Sequence, residues 1–532
     1  MLKLNEYKIQ IILLALVLTS IRIIYIFIGG LRYIATTLTI DDTYYYLNTA
    51  WNTKNHGFVT FDALHSTNGV QFLWFLIVYI FSFLTTSKDV FLIIILILDV
   101  IIMGLCFIPI WSVGIEINND YFPLVLSMVW FIMIFFSRYS KKFFMGMENA
   151  IHSLIIWFII LYFIRVMKKD ENLRRNFLIL TSLLILNVWT RYDSIIFAGV
   201  IYLFILFDLF IYKKKINLKM VILSISLIII GMGILILGFY LMGGSVIPIS
   251  AKIKTTFNPN TTFSQYLFNI MFINTLEFAF REILSAMLIV FLISLNLKFL
   301  YDILKKKKKK TTLKSLIIIL TLSNFIYSLI IGYIFNRYYV WYLSLSFILW
   351  ACVITYIITI IITGFQKKIH ISNRNFNYKK KISYGLMMLF ISTTILRFNI
   401  YMLDEIGDYY NESYSARYNT AIWLKSNTNA EDIIGSWNAG IIGFFSERRV
   451  INLDGLINSH DYYERILLDS NIRCYYCRFN SSEFVEYLND NNVSYIVDYK
   501  FHGFKPWYAN FTLIKEFPCQ GCLPIQVWAR IT

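Results

Sequence analysis

Apolar residues in this chain gather into long runs separated by short polar stretches. Twelve such runs can be read, near 9–29, 71–86, 90–113, 121–137, 151–167, 177–190, 194–212, 220–242, 283–303, 313–334, 339–364 and 383–403. A bilayer core about 30 Å thick takes roughly 20 apolar residues of helix, and most of these runs approach that length. The pattern predicts a mainly α, polytopic transmembrane bundle of about 11–13 helices over residues 1–404. The first run is too long for a signal-peptide core and no small-residue cleavage site follows it, so it is expected to stay as a helix. Past about residue 404 no further spanning run occurs and polar residues rise. Residues 405–532 therefore predict one compact, soluble α/β domain. Within it, 418–426 and 483–490 read as helices, 432–436, 449–453 and 494–498 as strands, and Asp454-Gly455 as a turn.

Composition narrows the class. A chain 58% hydrophobic and 15% charged carries more apolar surface than a soluble core can bury. The net charge of +17 raises nucleic acid as a partner, but its distribution argues otherwise. Basic residues sit in short runs between apolar segments: Lys168-Lys169, Lys213 to Lys215, Lys305 to Lys310, Lys367-Lys368 and Lys379 to Lys381. This placement follows the positive-inside bias and favours membrane lipids with anionic headgroups over nucleic acid. With those runs cytoplasmic, the 383–403 helix runs outward and the tail is extracytoplasmic. If the amino terminus, with Lys3 and Lys8, is inside, the first loop, about 30–70, lies on the outer face of a cell membrane. Glu148, Thr190 to Asp193, the 243–275 loop and Asn336 to Tyr339 join it there. One count conflicts. Four apolar segments lie between Lys8 and Glu148, where an odd number of crossings is needed. Either 71–86 or 121–137, both short, is expected to be re-entrant or to lie along the surface.

The stretch from Thr39 to Trp74 is the richest in candidate chemistry, bringing Asp41-Asp42 together with aromatic, amide and turn residues. Ionisable groups at a membrane boundary suggest function, while a solvated loop with an Asp capping a helix is the plain alternative. On the threaded face Asp41-Asp42 are joined by Glu148, Arg191 with Asp193, Ser250 with Lys252, and Asn336-Arg337-Tyr338. Each has a plain explanation: local pairing of Arg191 and Asp193, Lys252 reaching to headgroups, Arg337 bordering a helix end, Glu148 as a cap. Together they supply acids that act as bases and cations that hold phosphate, Arg through forked contacts and Lys as a point charge. That set suits attack on a phosphate-activated lipid substrate.

Several short motifs recur in a familiar order. They are Asp41-Asp42-Thr43-Tyr44, Thr67-Asn68-Gly69-Val70-Gln71 with Trp74, and Gly146-Met147-Glu148-Asn149-Ala150. Thr190-Arg191-Tyr192-Asp193 follows, with Tyr where a Pro is usual, then Pro248-Ile249-Ser250-Ala251-Lys252, one residue short, and Arg337-Tyr338. In the tail come Gly440 to Phe445 and Val450 to Leu456. This series resembles the GT-C-type membrane glycosyltransferases, the group related to protein mannosyltransferases and to aminoarabinose transferases that use polyprenyl-phosphate sugars. The resemblance implies inverting transfer of a sugar from a polyprenyl-phosphate donor to a hydroxyl of an extracytoplasmic glycan, lipid or protein. It further implies Asp41 as general base, Asp42 orienting the acceptor or a cation, and Glu148 within the catalytic set. Lys252, Arg191, Arg337 and Tyr338 would hold the donor phosphate, and Tyr44, Tyr45, Asn68 and Asp193 the acceptor or sugar. Some relatives use a divalent cation and others do not; no His cluster accompanies Asp41, so no active-site metal is assigned.

Four of the six cysteines form two pairs in the tail, Cys474-x-x-Cys477 and Cys519-x-x-Cys522. Within each pair the spacing is that of a zinc ribbon, yet the pairs lie wider apart than usual. Disulfides compete with structural zinc, and an oxidising compartment favours disulfides. Cys106 and Cys352 fall in apolar runs as packing residues. Sequons at Asn260, Asn411, Asn480, Asn492 and Asn510 would face outward, though an Asn-rich chain produces chance matches. A transporter or flippase of lipid-linked glycans is the competing function. It predicts charges within helices near the midplane and internal repeats, whereas here charges gather at helix ends. A scaffold that binds through its tail leaves the Asp41 stretch unexplained.

Overall fold

The computed structural model describes residues 2–117, 122–136, 143–168, 172–211, 218–256, 312–335, 344–368, 412–468, 479, 481–500, 510–519 and 521–531. Ten of the twelve expected apolar segments fall among them and each is helical; 283–303 and 383–403 lie outside the described residues. In chain order the helices are α1 (Leu2–Ile28), α2 (Asp41–His56), α3 (Phe72–Ser82), α4 (Lys88–Leu105), α5 (Phe107–Ile117), α6 (Phe122–Phe136) and α7 (Asn149–Lys168). They continue with α8 (Leu173–Thr190), α9 (Ile195–Ile211), α10 (Leu218–Gly243), α11 (Ile249–Thr256), α12 (Thr312–Phe335) and α13 (Ser344–Lys368). Five described stretches are long and apolar enough to cross a membrane: Ile11–Ile28, Lys88–Ile117, Asn149–Lys168, Leu218–Gly243 and Ser344–Ile361. The protein is a multi-pass membrane protein. Along α10, Ile229 and Leu241 point outward, as suits a surface bathed in lipid.

The first loop is more ordered than its composition suggests. Asp41 and Asp42 occupy the first turn of α2, where carboxylates complement the positive helix end, and Lys54 and His56 occupy the last. Gly57, at φ +80°, ends the helix, its N–H donating to the Thr53 carbonyl at 2.9 Å. At 11 residues, α3 is about 16 Å long, far short of a bilayer core. It packs against α2 and α8 instead. The other short segment, α6, has 15 residues and is likewise among the shorter apolar helices.

In the tail the elements are α14 (Glu412–Asn427), β1 (Ile433–Ser436), α15 (Ala439–Phe445), β2 (Arg449–Asn452), α16 (Ser482–Asp490), β3 (Val493–Tyr499), β4 (Phe511–Phe517) and β5 (Ile525–Arg530). The strands form one mixed sheet in the order β2-β1-β3-β5-β4. β1 runs parallel to β2 and β3, while β5 is antiparallel to β3 and β4. Every residue of α15 is buried, because this helix lies between the sheet and α2. A second apolar core holds Ile451, Leu453, Phe484 and Ile496 of the tail together with Ile249 and Ile253 of α11. The tail therefore grips a helix that follows directly on the membrane-length α10.

The Thr67-Asn68-Gly69 turn ties these pieces. Thr67 donates to the Asn458 carbonyl at 2.9 Å. The Asn68 amide donates to the carbonyls of Phe239 at 3.1 Å and Ser245 at 2.7 Å, and its oxygen accepts from Ile249 N–H at 2.9 Å. Gly69 sits so close to the Leu456 carbonyl that a Cβ there would collide with it. Asn68→Ala would leave these buried backbone groups unpaired, at about 1–3 kcal/mol each. The thermal midpoint in detergent should fall clearly; an unchanged midpoint would show that the clip does not hold the α10–α11 junction.

Candidate active site

Helical periodicity sorts the side chains of α2. Asp42, Tyr45 and Tyr46, spaced i, i+3 and i+4, share one face and line a narrow cleft of about 60 Å³. Gly69, Val70 and Gln71 form a second wall, Met147, Glu148 and Arg191 a third, and Ser250, Lys254 and Leu456 close it. The cleft thus draws on the first loop, three helix ends and the tail.

Glu148 is delivered by a tightly held turn. Gly146 adopts φ +78°, and a Cβ there would press on Thr43 at 3.1 Å. Its N–H donates to Asp99 at 2.9 Å and its carbonyl accepts from the Trp74 indole at 3.1 Å. Thr43 binds the Met145 carbonyl at 2.6 Å. Glu148 itself, 2% exposed, accepts from the Tyr46 hydroxyl at 2.9 Å and pairs with Arg191 at 2.7 Å. The other edge of the Arg191 guanidinium is bidentate to Asp193, at 3.2 and 2.9 Å, and Tyr327 donates to Asp193 at 2.5 Å. Arg191 is fixed between two carboxylates.

The two adjacent aspartates have different surroundings. Asp41 is 5% exposed and does not line the cleft. Its oxygens accept the N–H groups of Gly440 at 3.1 Å and Ile441 at 3.0 Å, at the start of α15, and Arg417 lies 3.4 Å away. Arg417 is held in turn by the Tyr499 hydroxyl. Asp42, half-buried, faces the cleft. Burial pushes its carboxyl up to about 6; Lys254 opposes that rise, while Asp41, Asp454 and Glu148 add to it. Tyr45 joins the two halves, donating to Asp454 at 3.3 Å and accepting from Asn452 at 3.3 Å.

Several sequence expectations change place. Tyr44 is fully buried, its hydroxyl 2.8 Å from that of Thr39 and its ring against Phe444 and Phe445, so it joins α2 to the tail and lies outside the cleft lining. Asn68 is the clip described above. Asp193 sits behind Arg191, outside the cleft lining. Lys252 points to His460, 3.0 Å away, and to the Tyr463 ring. Lys254 lines the cleft where Lys252 does not, because Ser250 and Lys254 are one turn apart on α11 and Lys252 lies half a turn round. Ser250's i+4 partner was the available signal. Asp454 and Leu456 lie in the Val450 to Leu456 motif without a role read for them, and Arg417 had no signal, since its contacts join distant parts of the chain. Arg337 and Tyr338 lie outside the described residues, as do Cys474 and Cys477. Cys519 and Cys522 are joined as a disulfide. Among the described residues no three His, Cys, Asp or Glu side chains are grouped to hold a metal.

This architecture has known counterparts. The oligosaccharyltransferase of Archaeoglobus fulgidus, in its apo form, is similar over 92% of this chain and 69% of its own, with 13% identity and a TM-score of 0.55. The same enzyme, AglB, in complex with an inhibitory peptide and a dolichol-phosphate matches over 93% of this chain and 69% of its own, at 12% identity and a TM-score of 0.50. ArnT from Cupriavidus metallidurans bound to undecaprenyl phosphate is 10% identical, covers 98% of each chain and gives a TM-score of 0.48. The fold is that of the GT-C membrane glycosyltransferases, as the motif order implied. Residues 404–530 match a family described as Domain of unknown function (DUF8728). No curated protein matches the sequence.

The split between the aspartates is testable by stability. Asp41→Ala removes one partner of a buried ion pair, which typically costs about 3–5 kcal/mol. The thermal midpoint should drop and the tail should become sensitive to protease. Asp42→Asn should leave the midpoint unchanged or raise it, since burial disfavours its charged form. Equal losses in both variants would erase the distinction.

Proposed function

We propose that the protein transfers a sugar from a lipid-phosphate donor to an acceptor hydroxyl, with Asp42 as the general base. The observation that carries this reading is a half-buried carboxylate near pKa 6, facing a lysine in a cleft at a helix-bundle boundary of GT-C fold. A base poised just below neutral pH is both ionised and strong enough to take a hydroxyl proton. Asp42 removes the proton of the acceptor hydroxyl, whose oxygen attacks the anomeric carbon. The bond from that carbon to the phosphate oxygen breaks, and its electron pair leaves with the phosphate toward Lys254. A single in-line displacement inverts the anomeric centre. Glu148, held by Arg191 and Tyr46, is in no position to act as a second nucleophile; it and Asp42 offset positive charge building on the sugar. At about 60 Å³ the cleft has room for reacting atoms and not for a whole sugar or lipid.

The donor's lipid requires a site at the membrane boundary, and the placement of charge supports an outer one. α7 begins beside Glu148 and ends at Lys168, its 20 residues spanning about 30 Å, one bilayer core. At its far end Arg165 and Lys168 pair with Glu116 at 3.1 and 3.2 Å. A basic end is the cytoplasmic one by the positive-inside bias, which leaves the cleft and tail extracytoplasmic.

Two measurements test this reading. With membranes and a panel of polyprenyl-phosphate sugars, Asp42→Asn should lower release of lipid phosphate by roughly 10²–10⁴. The wild-type rate should fall as pH drops through about 6, where Asp42 becomes protonated. Normal turnover in that variant, or a flat profile between pH 5 and 7, would remove Asp42 from the role. For sidedness, Asn427→Cys should react with an impermeant thiol reagent in intact cells and Lys168→Cys should not; the reverse pattern would invert the protein in the membrane.

A further inference from the structure

A second cavity opens farther along α2, and it is roomier than the cleft. Its volume is about 540 Å³, against about 60 Å³ at Asp42. Trp51, Asn52 and His56 of α2 form one side, and Thr86 to Asp89 at the start of α4 another. The tail closes it with Glu447 to Arg449. Asn52 lies ten residues beyond Asp42, about 15 Å along the helix.

Two independent features mark this cavity as built for a ligand. The first is backbone conformation. Four non-glycine residues among those described have positive φ, and two of them, Asn438 and Asn492, are of a type that tolerates it. The other two, Ala63 at +64° and Glu447 at +54°, both line this cavity, from opposite parts of the chain. Unfavoured conformations of this kind persist where surrounding structure imposes them, and they cluster at binding sites.

The second feature is the state of the charges. Lys88 donates to Asn48 at 3.0 Å and to the Phe444 carbonyl at 3.5 Å. Arg448 is held by the carbonyls of Lys425 at 2.6 Å and Thr428 at 2.8 Å, and Arg449 pairs with Glu431 at 3.6 Å. On the acidic side Asp62 binds His65 at 2.8 Å and Glu447 binds Lys425 at 2.6 Å. The three cations lining the wall, Lys88, Arg448 and Arg449, are engaged with protein groups of their own, so the cavity does not offer the convergent cations that an anion needs. It offers an indole surface, amide and hydroxyl groups and paired charges, the mixture that suits a neutral ligand dense in hydroxyls.

We propose that this cavity binds a neutral saccharide. On the reading given above, to which this adds the acceptor's class, it is part of an acceptor glycan. A narrow reacting cleft and a wide saccharide cavity on one helix separate chemistry from recognition.

The test uses the purified full-length protein in nanodiscs, with fluorescent oligosaccharides derived from dextran, chitin and mannan, and with inorganic phosphate as competitor. At least one oligosaccharide should bind saturably, indifferent to phosphate. Its affinity should fall at least tenfold in Trp51→Ala and again in Thr86→Trp, which fills the cavity from an exposed rim position and keeps the test independent of any folding defect in the first variant. Saccharide binding that depends on Trp51 in a protein without transferase turnover would sustain the cavity and sink the catalytic reading alone. Failure of all three oligosaccharide series to bind, binding insensitive to both cavity variants, or displacement by phosphate would overturn the proposal.

Discussion

The geometry of the candidate site depends on one carboxylate seated at the start of a helix from the far end of the chain. β1, α15 and β2 form a parallel strand–helix–strand unit, whose helix N-terminus is a natural seat for an anion. Asp41 fills it from α2. The approach is possible because Gly440 and Gly443 carry no side chains; a Cβ at the first would strike the Asp41 backbone carbonyl, and at the second the Phe61 ring at 3.1 Å. Neighbouring residues on an α-helix diverge by about 100°. Binding Asp41 to the tail therefore turns Asp42 toward the cleft.

A second constraint operates at the membrane boundary. Arg191 lies between Glu148, which is buried with it, and the partly buried Asp193. Burial is the main cause of the raised proton affinity of Asp42, and Glu148, held beside Arg191, adds to it. Lys254 opposes it from α11, a helix held by Ile249 and Ile253 in the apolar core of the tail. The acid–base balance of the cleft is thus set by packing contacts that lie outside it.

Much of the architecture was legible in the sequence because apolar run length is a local property. Segments such as 151–167 and 220–242 appear as α7 and α10 with ends moved by a few residues. The polar clusters at Asp41-Asp42, Glu148 and Arg191 also converge as expected. What a linear reading does not carry is direction. Asp41 and Asp42 are chemically identical, and only α15 tells them apart. Tyr44 and Asn68 have the composition of a binding loop, yet the buried face of α2 and the α10–α11 turn claim them. Lys252 and Lys254 differ by two residues, which on a helix is the difference between two sides. β4 and β5 were missed because β4 exposes most of its side chains and has little alternation to read.

Leu456 closes a cleft whose opposite wall holds Asp42. Those positions stand 414 residues apart. A ribosome threading this chain into a membrane must therefore reach Leu456 before the cleft can close. The walls from the first loop and the helix ends are made long before the one from the tail. The cleft thus waits on the folding of the tail against the first loop.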